Sequence, residues 1–170
     1  GMLIGMKVKG ETPDEIAGAA LSMRDFAIAP EITETALFDT CGTGGDGKHS
    51  FNVSSAVAII LNSMGEKIAK HGNRSVCSIS GSADFYEALG VPISLKVEDA
   101  APYFNKTGFL FLFAPNYHPA MKYAGPVRKA LGTRTIFNFL GPLTNPLKLK
   151  TQMIGVYNKD FLPLYAEAAK

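Results

Sequence analysis

The chain has 170 residues, and 17 lysines and arginines against 15 aspartates and glutamates leave a net charge of +2. Its length corresponds to one domain or roughly one and a half, ample for a packed core, and 46% hydrophobic with 19% charged residues excludes a disordered chain. No window approaches the ~18 uninterrupted apolar residues of a membrane span, and so small a positive charge does not by itself point to nucleic acid.

The opening G-M-L-I-G-M-K-V-K-G lacks the long apolar region and small-residue cleavage site of a secretory signal. Gly1 ahead of Met2 reads as a remnant of tag removal. The first clear helix has Thr12 as N-cap, Pro13 at its first position and Glu15 at its third, a T-x-x-E capping box. Ile16, Ala19, Ala20, Met23 and Phe26 share one face at helical spacing, and Pro30 is expected to end the helix. Residues 1–32 therefore read as the remainder of an N-terminal helical subdomain, and 33–170 as an α/β domain.

Ala36-Leu37-Phe38 is a short apolar run ahead of a glycine-rich loop. A helix over 52–64 is expected to stop at Gly65. A short strand over 67–69 leads into His71-Gly72-Asn73, and a helix over 82–89 stops at Gly90. The next helix, over 97–105, carries Glu98 and Asp99 in its first turn, as the helix dipole prefers. Phe109–Phe113 is apolar without alternation, the pattern of a strand covered on both faces. A helix over 118–131, broken or kinked near Gly125-Pro126, strands over 133–137 and 152–157, and a helix over 159–170 complete the pattern. This alternation predicts a mostly parallel, doubly wound sheet flanked by helices. The pattern has no closing element, so the chain reads as a piece of a longer protein, with an open sheet edge that favours self-association. Cys41 and Cys77 lack the spacing of a zinc site or disulfide framework, which points to a reduced, cytoplasmic compartment.

The stretch D-T-C-G-T-G-G-D-G-K-H-S, residues 39–50, sits between a strand and a helix. Gly42, Gly44, Gly45 and Gly47 let backbone N–H groups turn inward, and the following helix adds its positive end with Ser50, Asn52, Ser54 and Ser55 as donors. That chemistry suits a phosphate or pyrophosphate. Gly42-x-Gly44-x-x-Gly47 also matches a dinucleotide fingerprint, but Glu66 precedes the next strand where the ribose-binding acid should follow it. Gly42-x4-Gly47-Lys48 nearly matches a Walker A loop, but His49 stands where Ser or Thr must bind Mg²⁺. A glycine-rich turn without a ligand is the remaining alternative.

D-T-x-G-T-G-G-D-G followed by S-F-N-V-S-S resembles the phosphoribosyl pyrophosphate (PRPP) loop of the anthranilate phosphoribosyltransferases. Further blocks resemble that family in the same order: K-H-G-N-R at 70–74, S-G-S-A-D at 80–84 with E-A-L-G at 87–90, F-A-P at 113–115 with H-P-A-M-K at 118–122, P-V-R-K at 126–129, and R-T-I-F-N at 134–138 with G-P-L-T-N-P at 141–146. The resemblance extends over essentially the whole chain, including K-G-E-T-P-D-E-I at 9–16. It implies a fold like that of nucleoside phosphorylases and transfer of the phosphoribosyl group from PRPP to the amine of anthranilate, with release of pyrophosphate, a step of tryptophan biosynthesis.

By this resemblance Gly42, Gly45, Asp46, Ser50, Asn52, Val53, Ser54 and Ser55 bind PRPP, and Ser54 also holds Mg²⁺. Lys70, His71, Gly72, Asn73, Arg74, Ser75, Val76, Cys77 and Ser78 form a second PRPP-contacting segment, with Ser82 nearby. Lys70 supplies a point charge for phosphate. Gly42, Asn73, His118 and Arg128 face anthranilate, and the Arg128 guanidinium can pair a planar carboxylate through two hydrogen bonds. Without the resemblance, Arg128 is an ordinary surface arginine on a helix, His118 a capping histidine, and Ser54 and Ser55 helix caps. No side chain is assigned as a catalytic acid or base, and neither cysteine is given redox or nucleophilic chemistry.

The family holds its Mg²⁺ partly with an adjacent Asp-Glu pair, and none follows Arg128 here; turnover by these residues alone is therefore in question. Homodimers, and no membrane or nucleic-acid partner, are the implied assembly. A nucleic-acid-binding relative of the same fold and a pyrimidine nucleoside phosphorylase are the alternatives.

Overall fold

The computed structural model describes residues 1–44, 51–74 and 80–170 of the chain. A helix that no capping side chain announces opens it: α1, Met2–Lys9, with Lys7 and Lys9 at its negative end. The capping box closes at the start of α2, Pro13–Asp25: Glu15 N–H donates to Thr12 Oγ1 at 3.2 Å, and Thr12 N–H donates to Glu15 Oε2 at 3.0 Å. Ile16 and Ala20 are buried as their spacing implied, but the helix stops at Asp25, short of Pro30. Phe26 is its C-cap and is 70% exposed, so it leaves the buried face. The chain turns there because Ile28 N–H bonds to Tyr117 O at 2.9 Å instead of continuing the helix.

The α/β part follows in the order β1 (Leu37–Asp39), α3 (Val53–Ser63), β2 (Lys67–Gly72), α4 (Ser82–Ala88), α5 (Val97–Thr107), β3 (Phe109–Phe113), α6 (Ala114–Tyr117), α7 (Met121–Leu131), α8 (Phe137–Leu140), β4 (Thr151–Gln152) and α9 (Leu162–Ala168). The strands form one sheet in the order β3-β2-β1-β4, and every pairing is parallel. The expected parallel sheet with helices on both faces is therefore what the described residues build.

β3 shows why a continuous apolar run marks a central layer. Phe109 and Phe111 pack with Ala58 of α3, Ile68 of β2 and Tyr86 of α4. Leu110 and Leu112 point the other way, into a core with Ala100 and Phe104 of α5, Tyr117 and Leu147. Each such side chain contributes about 1.5–3 kcal/mol on burial, so these four together rival the net stability of a small domain. A third core joins the chain's two ends: Ile16 and Ala20 of α2 pack with Phe139 and Leu140 of α8 and with Tyr165 and Ala168 of α9.

Three expectations are corrected. The strand over 133–137 does not form; Thr135 N–H is taken up by Asn138 Oδ1 at 3.0 Å, and Asn138 N–H returns to Thr135 O at 2.8 Å, a local closure that starts α8. The helix over 118–131 starts only at Met121, as α7, and a separate short helix, α6, precedes it, because Pro119 disfavours helical backbone at His118, which sits at φ −122° and ψ 67°. α7 then runs through Gly125-Pro126 without a break. The strand over 152–157 shrinks to Thr151–Gln152 plus an isolated bridge between Gly155 and Gly42.

Replacing Thr12 with Ala removes the cap on Glu15 N–H and should lower stability by about 1 kcal/mol. Urea denaturation of the two proteins measures the difference.

Candidate functional site

Where the C-terminal ends of β1, β2 and β3 meet, the structure opens into a cavity of about 830 Å³. This is where parallel sheets bind ligands, because the loops that follow the strands diverge there. Its walls come from the glycine loop after β1, the start of α3, the end of β2 with the residues that follow it, the start of α4, the α6–α8 region with the turn after it, and Met23 of α2.

The glycine loop is tied down by the chain's later part. Gly42 bridges Gly155; a Cβ on Gly42 would stand 3.3 Å from Gly155 O. Thr43 N–H donates to Gly155 O at 2.8 Å, and Thr43 Oγ1 accepts from Tyr157 N–H at 3.2 Å. At the start of α3, Ser54 and Ser55 line the cavity, and both are held through their carbonyls: Thr40 Oγ1 donates to Ser54 O at 2.6 Å and Tyr86 OH to Ser55 O at 3.0 Å. The Asn52 amide reaches Ser80 Oγ and Gly81 O at 3.2 and 3.3 Å, which ties α3 to the approach of α4. Val53, expected among the PRPP contacts, is 58% exposed and lies off the cavity, since its position on α3 turns it to the outer face.

At the end of β2, Lys70, His71, Gly72, Asn73 and Arg74 all line the cavity, as does Ser82 from α4. Gly72 must be glycine: a Cβ would strike Ser82 Oγ and stand 2.9 Å from the Phe111 ring. The cations here are engaged. Arg74 makes a two-pronged pair with Glu87 at 2.9 and 3.0 Å and also bonds Asp84 at 2.6 Å; Glu87 above all, then Asp84, raises the pKa of this guanidinium. Lys70 is 2% exposed, its ammonium 3.1 Å from His71 O and 3.9 Å from Asp39 Oδ1. Burial pushes the Asp39 carboxyl above its usual range, while Lys70, Asn145 and the His71 N–H oppose that rise.

Two buried histidines also line the cavity. His71 and His118 meet edge to face, with ring centroids 5.2 Å apart. His71 Nδ1 lies 3.0 Å from Gly141 O, so Nδ1 carries the proton and Nε2 is an acceptor; Nε2 of each histidine is buried without a partner. Burial above all, then the His118 ring, pushes the His71 pKa down to about 3, and burial lowers that of His118 as well. Both rings are neutral acceptors at neutral pH.

Arg128 lines the cavity from α7, its guanidinium 5.2 Å from the centre of the Phe137 ring. It has no carboxylate partner among the described residues, and partial burial lowers its pKa from the usual arginine value. Gly42, Asn73, His118 and Arg128, expected to face one substrate, thus share one cavity. Gly45, Asp46, Ser50, Ser75, Val76, Cys77 and Ser78 lie outside the described residues. Met23, Met121, Phe137 and Asn138 also line the cavity and were not among the expected site residues. The last three fall within or beside blocks already singled out, whereas Met23 carries no signal beyond an ordinary helix-core position.

Among the described residues no group of three His, Cys, Asp or Glu side chains could hold a metal ion. Ser54 offers one neutral oxygen, which fits Mg²⁺ only as a supplement to stronger ligands. No helix among the described residues is long and apolar enough to cross a membrane.

Residues 34–170 match the α/β domain of a glycosyl transferase family, and residues 1–27 match the helical bundle domain of a glycosyl transferase family. The chain is 52% identical over 167 residues to the anthranilate phosphoribosyltransferase of Laribacter hongkongensis, covering 98% of this chain and 49% of that protein. It superposes on the crystal structure of the Thermus thermophilus anthranilate phosphoribosyltransferase with a TM-score of 0.92 and 44% identity, over 98% of this chain and 51% of that one. The Saccharomyces cerevisiae enzyme in complex with PRPP and Mg gives a TM-score of 0.90 at 34% identity, over 98% of this chain and 47% of the other. The chain thus spans about half the length of the relatives it matches. These relatives do not favour a nucleic-acid-binding protein or a pyrimidine nucleoside phosphorylase.

His71 supplies a test of the site's burial. Its folded pKa of about 3 lies below the ordinary 6.5, so between these values the unfolded chain binds a proton that the folded chain does not. Its contribution to stability is therefore complete above about pH 6.5 and is lost as the pH falls toward about 3. Asp39, shifted upward, acts in the opposite sense. Denaturation midpoints measured from about pH 7 down to about pH 4 should fall more steeply for the native chain than for His71→Gln.

Proposed function

The chain belongs to the glycosyl transferase family whose α/β domain its residues 34–170 match, and we propose that it carries the substrate cavity of an anthranilate phosphoribosyltransferase. The observation that carries this reading is the mixed lining of one cavity. Hydroxyls at the start of α3 and the described glycines of the loop after β1 share it with an uncommitted guanidinium on an aromatic ring. The first set suits a pyrophosphate, since backbone N–H groups and a helix N-terminus favour anions. The second suits a planar carboxylate on an aromatic ring, which Arg128 pairs while Phe137 and Met121 flank it. A volume of about 830 Å³ accommodates both ligands at once.

In the reaction the amine nitrogen of anthranilate forms a bond to C1 of the ribose, and the bond from C1 to the pyrophosphate oxygen breaks. Pyrophosphate leaves with that electron pair, and the amine gives a proton to solvent. An aromatic amine is uncharged at neutral pH, so positioning and charge stabilisation dominate over base catalysis. Arg128 anchors the carboxylate, and Asn73 lines the same cavity. The neutral Nε2 atoms of His71 and His118 accept from polar N–H groups of the bound ring. Ser54, Ser55 and Asn52 hold pyrophosphate oxygens. Mg²⁺ would supply countercharge to the pyrophosphate when bound, and Ser54 is the residue of this chain that would hold it.

The same reading divides the chain into a helical part, 1–32, and a PRPP-binding part, 33–170. It places the protein in the cytoplasm as a homodimer; the exposed Met2, Val8 and Leu21 of α1 and α2 offer an apolar surface for a second subunit.

Arg128→Ala should weaken anthranilate, followed by its fluorescence, about 10- to 100-fold while leaving PRPP nearly unchanged, the size of one charge-assisted pair. Equal losses for both substrates would overturn the assignment of Arg128. Calorimetric titration of Mg²⁺ should show binding at least about tenfold tighter with PRPP present than without it, because the phosphates complete the ligand set. Equal Mg²⁺ affinity in both titrations counts against Ser54 as its anchor.

A further inference from the structure

β2 pairs with its two neighbours over different lengths. On the β3 side the register runs through to Gly72 opposite Phe113. On the β1 side it stops at Ile68 opposite Phe38. Beyond that point β1 departs toward the glycine loop, and the divergence makes room for the cavity. Successive residues of a parallel strand turn their backbone groups to alternate sides, so Ala69 and His71 face the gap where β1 would have been. Buried backbone groups left there without partners carry a free-energy cost.

Side chains fill the gap. Asn145 Nδ2 donates to Ala69 O at 2.8 Å, His71 N–H donates to Asp39 Oδ1 at 3.3 Å, and Lys70 Nζ donates to His71 O at 3.1 Å. Asp39 is the common member. Its Oδ2 accepts from Asn145 Nδ2 at 3.1 Å and from Gln152 Nε2 at 3.3 Å, and Lys70 stands 3.9 Å from Oδ1 as countercharge. The carboxylate has no exposed surface and does not line the cavity. It therefore acts through what it holds.

We propose that Asp39 is a positioning residue: its carboxylate replaces the absent ladder between β1 and β2 and fixes the backbone of His71 where that residue enters the cavity. Both ends of the His71 residue are then tied to one unit. Its N–H meets Asp39, its carbonyl meets Lys70, and its ring meets Gly141 O, in the segment that leads to Asn145. The direction of His71 Nε2 and the placement of Asn73 two residues on depend on this clamp.

The clamp is read on the free chain, whereas its consequence for anthranilate rests on the function proposed above. Amide hydrogen exchange by NMR is measured on the native chain, Asp39→Asn and Gln152→Met. Asp39→Asn keeps the size but sets an amide among donors, so exchange at the His71 amide should rise about tenfold or more while Phe111 on β3 stays unchanged. Gln152→Met removes one donor to Asp39 and keeps its charge; a rise of about threefold at His71 is expected, and this variant serves if Asp39→Asn does not fold. In a folded Asp39→Asn, anthranilate affinity should fall about tenfold. A merely structural Asp39 would lower the melting temperature and leave both the His71 amide and the affinity of the folded protein where they were. Unchanged His71 exchange in every folded variant overturns the clamp. Failure of the native chain to bind anthranilate, with the exchange result intact, overturns the substrate reading instead.

Discussion

Between β1 and β2 a carboxylate and an ammonium lie 3.9 Å apart, both withdrawn from solvent. Taking two charges out of water costs several kcal/mol apiece, and their attraction offsets that only when hydrogen bonds satisfy the remaining lone pairs and protons. Asp39 meets that condition with donors from β2, from β4 and from the segment after α8. The pair sits where the sheet has to part. A fully paired sheet would carry β1 straight alongside β2 and close the crevice; a parted sheet without these side chains would bury unpaired backbone. The cavity and the buried charges are thus one feature, and the glycine loop, the β2 terminus and His71 depend on it.

Around that gap, three apolar cores hold the elements at fixed distances. Two lie on opposite faces of β3 and β2, and the third locks α2 against α8 and α9. The third brings Met23 from the N-terminal part into the wall of a cavity otherwise built by the α/β part. The charges around the cavity divide by function. Arg74 is neutralised by two carboxylates and Lys70 by one, so they serve structure and orientation in the free protein. Arg128 keeps its donors available. The two histidines of the cavity are held neutral by burial, which lets them accept hydrogen bonds where imidazolium rings would repel the nearby cations.

Much was legible in the residues alone, and its character is uniform. The capping box at Thr12, the stops at Gly65 and Gly90, and the unalternating run of β3 are signals confined to a few neighbouring residues. Most of the residues expected to bind ligand do stand around one cavity wherever they are described, because the loops that carry them follow consecutive strands of one parallel sheet. The failures share a character as well. The strand reading of 133–137 could not reveal that Asn138 would close a turn on Thr135, and the spacing of Phe26 could not reveal that Ile28 would be drawn to Tyr117.

The sequence by itself determined the helices, whose hydrogen bonds are local, the apolar run of β3, the parallel class of the sheet, and the chemistry available to the loops. Only the tertiary structure decided which of those groups are free to use it. Lys70 reads as a cation for phosphate until Asp39 is seen beside it, and Asp39 reads as one more loop-flanking acid until Asn145 and Gln152, over a hundred residues away in the chain, are found on its oxygens. The reason is physical: a side chain's protonation and commitments are set by burial and by partners brought close in space, and linear spacing carries no measure of either.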